Sequence, residues 1–321
     1  MEQSFGRRFE RWGYVVVGYT ASYGNGGNDA WLIKLDSHGN IEWNKTIGGS
    51  NNDGARVVLQ TEDGGFIIAG GTTSYGAGES DGWLIKTDSA GEVEWFKTFG
   101  GVGVDLIYSA DLTNDGGYVI LGCSDCYNPV VTAWVKKLDK EGNVEWSKTF
   151  QGNNIKLKSI SHTTDGGFII AGDTYSDVTY SDIWVIKLDK EGNVEWSKTF
   201  NYYRSDLAFS VKQTMDGGFV VAGYSDSFGP RFDILVIKLD PRGNTEWVKS
   251  FEGEHTNLAY SIQQTSEGGY IIAGERVSSG NGDILIVKLS PEQTITIPEA
   301  PILVMIFLIV LVVMSLLKFR A

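Results

Sequence analysis

The chain repeats itself, and the repeat decides what it can fold into. The block Asp29-Ala-Trp-Leu-Ile-Lys-Leu-Asp-Ser-His-Gly-Asn-Ile-Glu-Trp43 returns at 81–95, 132–146, 182–196 and 233–247. Its closing Trp falls at 43, 95, 146, 196 and 247, a mean spacing of 51 residues. A second block, Asp63-Gly-Gly-Phe-Ile-Ile-Ala-Gly70, returns from Asp115, Asp165, Asp216 and Glu267, and in degraded form at Trp12-Gly-Tyr-Val-Val-Val-Gly18. A period of this length marks one supersecondary unit that buries its apolar faces only by stacking on its neighbours.

Each unit reads as four strands, A to D. In the second unit they are expected at 57–61, 66–70, 83–88 and 93–99. Strand B is apolar on both faces (Phe66, Ile67, Ile68, Ala69) and must be covered on two sides. Strand D alternates, as a half-covered strand should. Asp-x-x-Gly-Asn turns link C to D and Thr-x-Asp-Gly-Gly turns link A to B, each supplying a residue tolerant of positive φ. No helical period precedes residue 300. Four short antiparallel strands in about 50 residues stack radially as propeller blades. The expected fold is therefore an all-β propeller of six four-stranded blades over residues 1–290. Six B, six C, five D and five clear A strands are countable, with 4–11 a poor sixth A, so the first and last blades are incomplete. The N-terminal segment is one candidate to close the ring; five and a half open blades is the alternative.

Nine of ten Trp residues lie at two fixed places, Trp31, Trp83, Trp134 and Trp184 in strand C and Trp43, Trp95, Trp146, Trp196 and Trp247 in strand D. The twelve-residue spacing of each pair is expected to bring the two rings together on one face. Recurrence in every unit favours packing between blades over an aromatic ligand platform. These two motifs, in order over about 12–289, resemble the tandem propeller repeats of archaeal and bacterial cell-surface proteins, and more distantly quinoprotein-type propellers. The second resemblance would imply an adjacent cysteine pair and a cofactor. Cys123 and Cys126 stand two residues apart between them, so quinone chemistry is not expected and no cofactor is assigned.

After Ser290 the composition changes. Residues 291–301 form a linker with three prolines, and 302–317 are apolar at all positions but Ser315. With its flanks, 302–319 approaches the ~20 residues that span a ~30 Å bilayer core, and is expected to be a single transmembrane helix. Lys318 and Arg320 follow it while Glu292 and Glu299 precede it, which orients the propeller outward. Pro298-Glu299-Ala300, the apolar run and the basic end resemble archaeal sorting tails of the Pro-Glu-Phe type, with Ala300 in place of the Phe. An exported domain needs a signal peptide, and 1–20 holds none. The expectation is that the natural protein begins further upstream; a tail-anchored protein with a cytoplasmic propeller is the rival.

The formal net charge is −13 with no basic stripe, which argues against nucleic acid as a partner. Partners are sought instead at the membrane and in a polysaccharide or surface protein. The B–C and D–A connections vary in length between units and lie at one end of each blade, where binding loops are expected. Five residues after the B-strand Gly stand Tyr23, Tyr75, Tyr127 and Phe228, with Tyr175 nearby in the fourth unit. Two readings of these rings stay open, stacking on sugars and packing on the adjacent loop. Asp29, Asp81, Asp182, Asp233 and Asp283 open strand C; a Ca²⁺ site or turn acceptors are the alternatives, the second preferred. No catalytic residue and no metal ligand set is assigned. A non-catalytic interaction or adhesion module is the leading reading, a carbohydrate-active propeller with paired carboxylates the alternative.

Overall fold

The computed structural model describes residues 13–127, 130–153, 155–176, 180–278 and 281–291. They form six antiparallel sheets in sequence order, spanning 14–47, 53–99, 106–153, 156–200, 206–251 and 256–289. The middle four have four strands. Blade 1 has strands B, C and D, and blade 6 has A, B and C. The 1–12 segment, the linker beyond 291 and the apolar stretch 302–319 lie outside the described residues. Among the described residues no helix is long and apolar enough to cross a membrane.

Blade 2 shows the pattern: A, Asp53–Gln60; B, Phe66–Thr72; C, Asp81–Thr87; D, Val93–Phe99. Strand A starts four residues earlier than its sequence suggests. A β-bulge between Ala55 and Val57 lets Arg56 leave the sheet while the ladder continues to Asp53↔Thr72. A polar residue at a bulge reads as loop in a period-2 pattern, which is why the sequence hides this half of the strand.

Five apolar clusters fill the junctions between successive blades. Between blades 1 and 2, for instance, Val15, Val17, Ala30 and Leu32 meet Ala55, Val58, Phe66, Ile68, Trp83 and Ile85. Residues of opposite parity on blade 2 (Val57, Leu59, Ile67, Ala69, Leu84) meet Ile107, Ala110, Tyr118, Ile120 and Trp134 of blade 3. Strand B thus feeds two cores at once, and Ile67 to Ala69 are essentially inaccessible.

The Trp pairs correct the sequence reading. Trp83 pairs with Thr98, and Trp95 with Lys86. Trp83 and Lys86 are three residues apart on one strand, so the two indoles lie on opposite faces rather than together. Blades 2, 3 and 4 each give one indole to each neighbour: Trp83, for instance, joins the core shared with blade 1 and Trp95 the core shared with blade 3. The strand-D indoles meet the aromatic that opens strand B of the next blade, Trp43 with Phe66, Trp95 with Tyr118, Trp146 with Phe168, Trp196 with Phe219 and Trp247 with Tyr270, at centroid distances of 5.6–6.3 Å.

Two polar devices recur alongside. A strand-C lysine is buried and clamped by two carboxylates: Lys86 bonds Asp63 of the A–B turn at 2.8 Å and Glu94 of strand D at 3.0 Å, and Lys137, Lys187 and Lys238 repeat this. The hydrogen bond from Lys86, then that from Thr61, hold the Asp63 carboxyl down at about 2. On the inner strands a serine hydroxyl accepts a backbone N–H of the next blade: Ser109 from Ile160 (3.1 Å), Ser159 from Val211 (3.2 Å) and Ser210 from Ile262 (3.3 Å).

Candidate functional site

The inner strands surround a central cavity of about 1780 Å³. Every strand A described carries its bulge at the same place, between Ala55 and Val57, Ile107 and Ser109, Leu157 and Ser159, Ala208 and Ser210, Ala259 and Ser261. The extra residue lines the cavity, and it differs from blade to blade: Arg56, Tyr108, Lys158, Phe209 and Tyr260. Its neighbours hardly change, since small or apolar residues precede it and a serine follows in four of the five. A bulge re-aims one side chain without moving the sheet, so this position tolerates variation that the interblade cores do not.

These side chains form a band. The Arg56 guanidinium lies 5.7 Å from the Tyr108 ring centre, and the Lys158 ammonium 3.9 Å from that of Phe209. Phe209 also stacks on Tyr224 at 5.1 Å and meets Tyr260 edge-on at 5.4 Å. Lys158 pairs with the buried Asp173; burial raises that carboxyl, and the lysine opposes the rise. Tyr260 donates to Glu275 at 3.3 Å. Burial raises the Tyr108 phenol, so it stays a neutral donor at physiological pH. Lys156 and Lys212 add two cations, and the lining runs on down to the A–B turns, Thr61 to Asp63 and Asn114 to Gly117. Asp111, the acidic residue beside the band, accepts the Ser161 hydroxyl at 3.1 Å and the His162 amide at 3.0 Å. Arg56, Lys156, Lys158 and Lys212 thus stand around the aromatic band, and Glu62, Asp63, Glu94, Asp111, Asp115 and Glu141 line the same cavity.

The aromatic residues singled out from the variable loops sit elsewhere, outside this cavity: Tyr23, Tyr75, Tyr127 and Phe228 follow strand B, and Tyr175 lies near the end of strand B of blade 4, paired with Ser181. Tyr23 leans on Trp31 at 6.3 Å. Tyr75 packs on Trp83 (5.7 Å) and Phe96 (4.9 Å), and its hydroxyl donates to the Gly48 carbonyl. Phe228 packs on Tyr202 at 5.4 Å. Tyr127 is 81% exposed, and Tyr175 is also exposed. They do not converge on one another: each belongs to its own blade.

Four of the strand-C aspartates, Asp29, Asp81, Asp182 and Asp233, are buried, whereas Asp283 is exposed. Asp29 accepts the Asn25 and Gly26 amides at 3.0 and 3.3 Å. The aspartates opening strand A act alike: Asp53 accepts the Gly49 amide and the Ser74 hydroxyl, both at 2.7 Å, and Asp206 the Tyr202 amide at 2.8 Å. Burial raises the carboxyls of Asp81 and Asp206, and a neighbouring aspartate adds to both. Among the described residues no three acidic, histidine or cysteine side chains gather as a metal site. Cys123 and Cys126 are joined as a disulfide across a Cα distance of 5.5 Å, at the mouth of one B–C loop.

The bulge band was missed from the sequence, yet the signal lay in it. When the repeats are laid on one another, the bulge residue alternates between basic and aromatic (Arg56, Tyr108, Lys158, Phe209, Tyr260) while the small or apolar residue before it hardly changes. Repetition draws attention to the constant positions, whereas the candidate site lies where the repeats differ.

Fold and cavity together define a six-bladed β-propeller whose central cavity is lined asymmetrically by aromatic, basic and acidic side chains. No family model matches the sequence, and no curated protein matches it. Among solved structures the chain is similar to a protein of unknown function from Dyadobacter fermentans, at 11% identity and a TM-score of 0.59, over 91% of this chain and 98% of that one. It is also similar to puromycin hydrolase (10% identity, TM-score 0.49), where it covers 89% of itself but spans only 45% of that protein's length. The β-propeller domain of the Trilobed protease from Pyrococcus furiosus superposes at 13% identity and a TM-score of 0.49, over 89% and 82% of the two chains. At these identities the likeness concerns the fold alone.

Proposed function

We propose that this chain is a non-catalytic binding propeller, held outward on a membrane by 302–319, that takes an acidic polysaccharide at its central cavity. The observation that carries the reading is the bulge band. An aromatic face stacks on the apolar face of a sugar ring, and Arg56 is suited to a carboxylate by its planar fork of donors. Lys156 and Lys212 stand beside the band as further partners for an anionic group, among the carboxylates that also line the cavity. Tyr23, Tyr75, Tyr127, Tyr175 and Phe228 are a secondary surface along which a long chain can run. Against catalysis, hydrolysis of a glycosidic bond needs an acid and a base 5–10 Å apart in unlike surroundings. Of the carboxylates that line the cavity, Asp111 accepts the Ser161 hydroxyl and the His162 amide, and Asp63, Glu94 and Asp115 are paired with the buried lysines Lys86 and Lys137.

The test is a glycan array on the whole chain in detergent, with and without Ca²⁺, followed by a turnover assay on every hit. Retention of uronic-acid polysaccharides, weakened at least tenfold by Arg56→Ala and by Tyr108→Ala, is the expected result. Equal retention of neutral glycans, or retention unaffected by both substitutions, overturns the cavity assignment. Release of reducing ends from a hit overturns the non-catalytic reading. Loss of membrane association on deleting 302–321 checks the anchor, and protease protection of the propeller in sealed cells checks its side.

A further inference from the structure

The five bulge side chains are not equally available. Strand B passes each bulge in one register: Ala55 pairs with Gly70, Ile107 with Gly122, Leu157 with Gly172, Ala208 with Gly223 and Ala259 with Gly274. The residue after that glycine lies fifteen places on from the bulge residue and therefore stands at the same place in every blade. In blades 4 to 6 it engages the bulge side chain. Lys158 pairs with Asp173, Phe209 stacks on Tyr224, and Tyr260 donates to Glu275 at 3.3 Å. The two positions change together: cation with anion, ring with ring, phenol with carboxylate.

Blades 2 and 3 break this pattern. Fifteen places on from Arg56 stands Gly71, which has no side chain; a Cβ there would meet only the end of Leu106, at 2.5 Å, within its first shell of neighbours under 3 Å. Fifteen places on from Tyr108 stands Cys123, whose sulfur is bonded to Cys126. Among the described residues neither the Arg56 guanidinium nor the Tyr108 hydroxyl has a hydrogen-bond or ion-pair partner; they face each other, with the guanidinium 5.7 Å from the ring centre. Arg56 is exposed and Tyr108 half-buried. The acidic lining residues Glu62, Asp63, Asp115 and Glu141 belong to turns beyond the far end of strand A, and Asp111 accepts the Ser161 hydroxyl and the His162 amide.

We propose that the strand-B residue fifteen places on decides whether a bulge side chain can take ligand, and that Arg56 and Tyr108, left open by Gly71 and Cys123, form a subsite for one carboxylate group. This rests on the acidic-polysaccharide reading of the cavity and places the anionic contact on the side of blades 2 and 3. A guanidinium offers a carboxylate two parallel N–H donors, and a neutral phenol offers a third donor to the remaining lone pairs. Lys158 is a poor substitute. To take another anion it must leave Asp173, and a buried carboxylate stripped of its partner is costly. The bulge supplies the position in every blade; the neighbouring strand sets which of the five side chains is free to use it.

The experiment is covalent labelling of the full chain in detergent, read by mass spectrometry, with an arginine-selective dicarbonyl and a lysine-acylating reagent. The probe is glucuronate, with glucose as its neutral counterpart. Glucuronate should slow labelling of Arg56 at least threefold, and glucose should not. Gly71→Asp should slow that labelling without any sugar and remove the effect of glucuronate. Gly71→Ala, which meets Leu106 in the same way but carries no charge, should behave as wild type. Asp173→Asn should make Lys158 faster to acylate and newly protected by glucuronate. The proposal is overturned by an Arg56 that glucuronate does not protect, by equal protection from glucose, by full protection in a Tyr108→Phe chain, by equal labelling of Arg56 in the Gly71→Asp and Gly71→Ala chains, or by protection of Lys158 in the wild type. Protection of Arg56 in a chain that retains no uronic-acid polysaccharide would support the subsite and refute the polymer reading alone.

Discussion

Replacing Trp146 by Ala tests the physical basis of the ring most directly. Its indole meets Phe168 of blade 4 edge-on, with centroids 5.6 Å apart and planes at 71°. Its N–H donates to the Lys190 carbonyl of the same blade at 3.3 Å. The ring is partly buried, so roughly 100–150 Å² of apolar surface leaves water. At about 25 cal/mol per Å² that is about 3 kcal/mol, and the exposed hydrogen bond adds about 0.5 kcal/mol. A loss of about 3–4 kcal/mol should lower Tm by roughly 6–14 °C in a domain of this size. Part of the loss belongs to the ring pair itself, and a double-mutant cycle separates it. With Phe168→Leu as the second change, the coupling should be about 0.5–1.5 kcal/mol. The assay is urea unfolding followed by two probes, because stacked repeats can lose their cooperativity. A Trp146→Ala chain within about 0.5 kcal/mol of wild type would refute the claim that indoles hold the blades together. A coupling of zero would show that Trp146 acts through area alone.

Three further outcomes follow from the repeated devices. Gly192→Ala puts a Cβ at a φ of +79° and 2.9 Å from the Trp146 ring; the left-handed backbone and the clash should together cost about 2–4 kcal/mol, where Gly166→Ala, with only a 3.8 Å neighbour, should cost about 1–2 kcal/mol, both read from urea midpoints. Ser159→Ala strands the Val211 amide in the inner ring and should cost about 1–3 kcal/mol, with faster exchange of that amide by NMR. Lys86→Met removes the clamp on Asp63. The Asp63 carboxyl lies below its ordinary 3.8, at about 2, so its contribution is present above pH ~4 and is lost as the pH falls toward 2. Because the Asp63 side chain is 58% exposed, solvent screening cuts this to about 1 kcal/mol. The wild type should therefore exceed Lys86→Met in stability at pH 6 and converge on it near pH 2 in acid titrations of Tm; a gap that widens on acidification would count against the clamp.

Much of the architecture was legible because a repeat is an alignment of the chain with itself. The 51-residue period, the glycine turns and the doubly apolar strand B are enough to give six blades and their strand order. Strand A was half hidden, since its bulge places Arg56 or Lys158 in the middle of the ladder. The indole pairs were misjudged for a related reason. Spacing along the chain gives separation, but the face of a strand depends on register across the C–D turn, and Trp83 and Trp95 differ by an odd number of residues in that register. The loop aromatics could be located along the chain from the repeat, yet only coordinates show Tyr75 lying on Trp83 and Phe96 while Tyr127 stands in water.

By itself the sequence determined everything that follows from local periodicity: four-stranded units, their count, their turns and the stickiness of their faces. Tertiary structure alone decided what each unit presents to the axis. Arg56, Tyr108, Lys158, Phe209 and Tyr260 lie about fifty residues apart, and no local pattern links them. They become neighbours because the blades, packed face to face around one axis, bring every bulge to the same height at the centre, where small differences between repeats add up to a site.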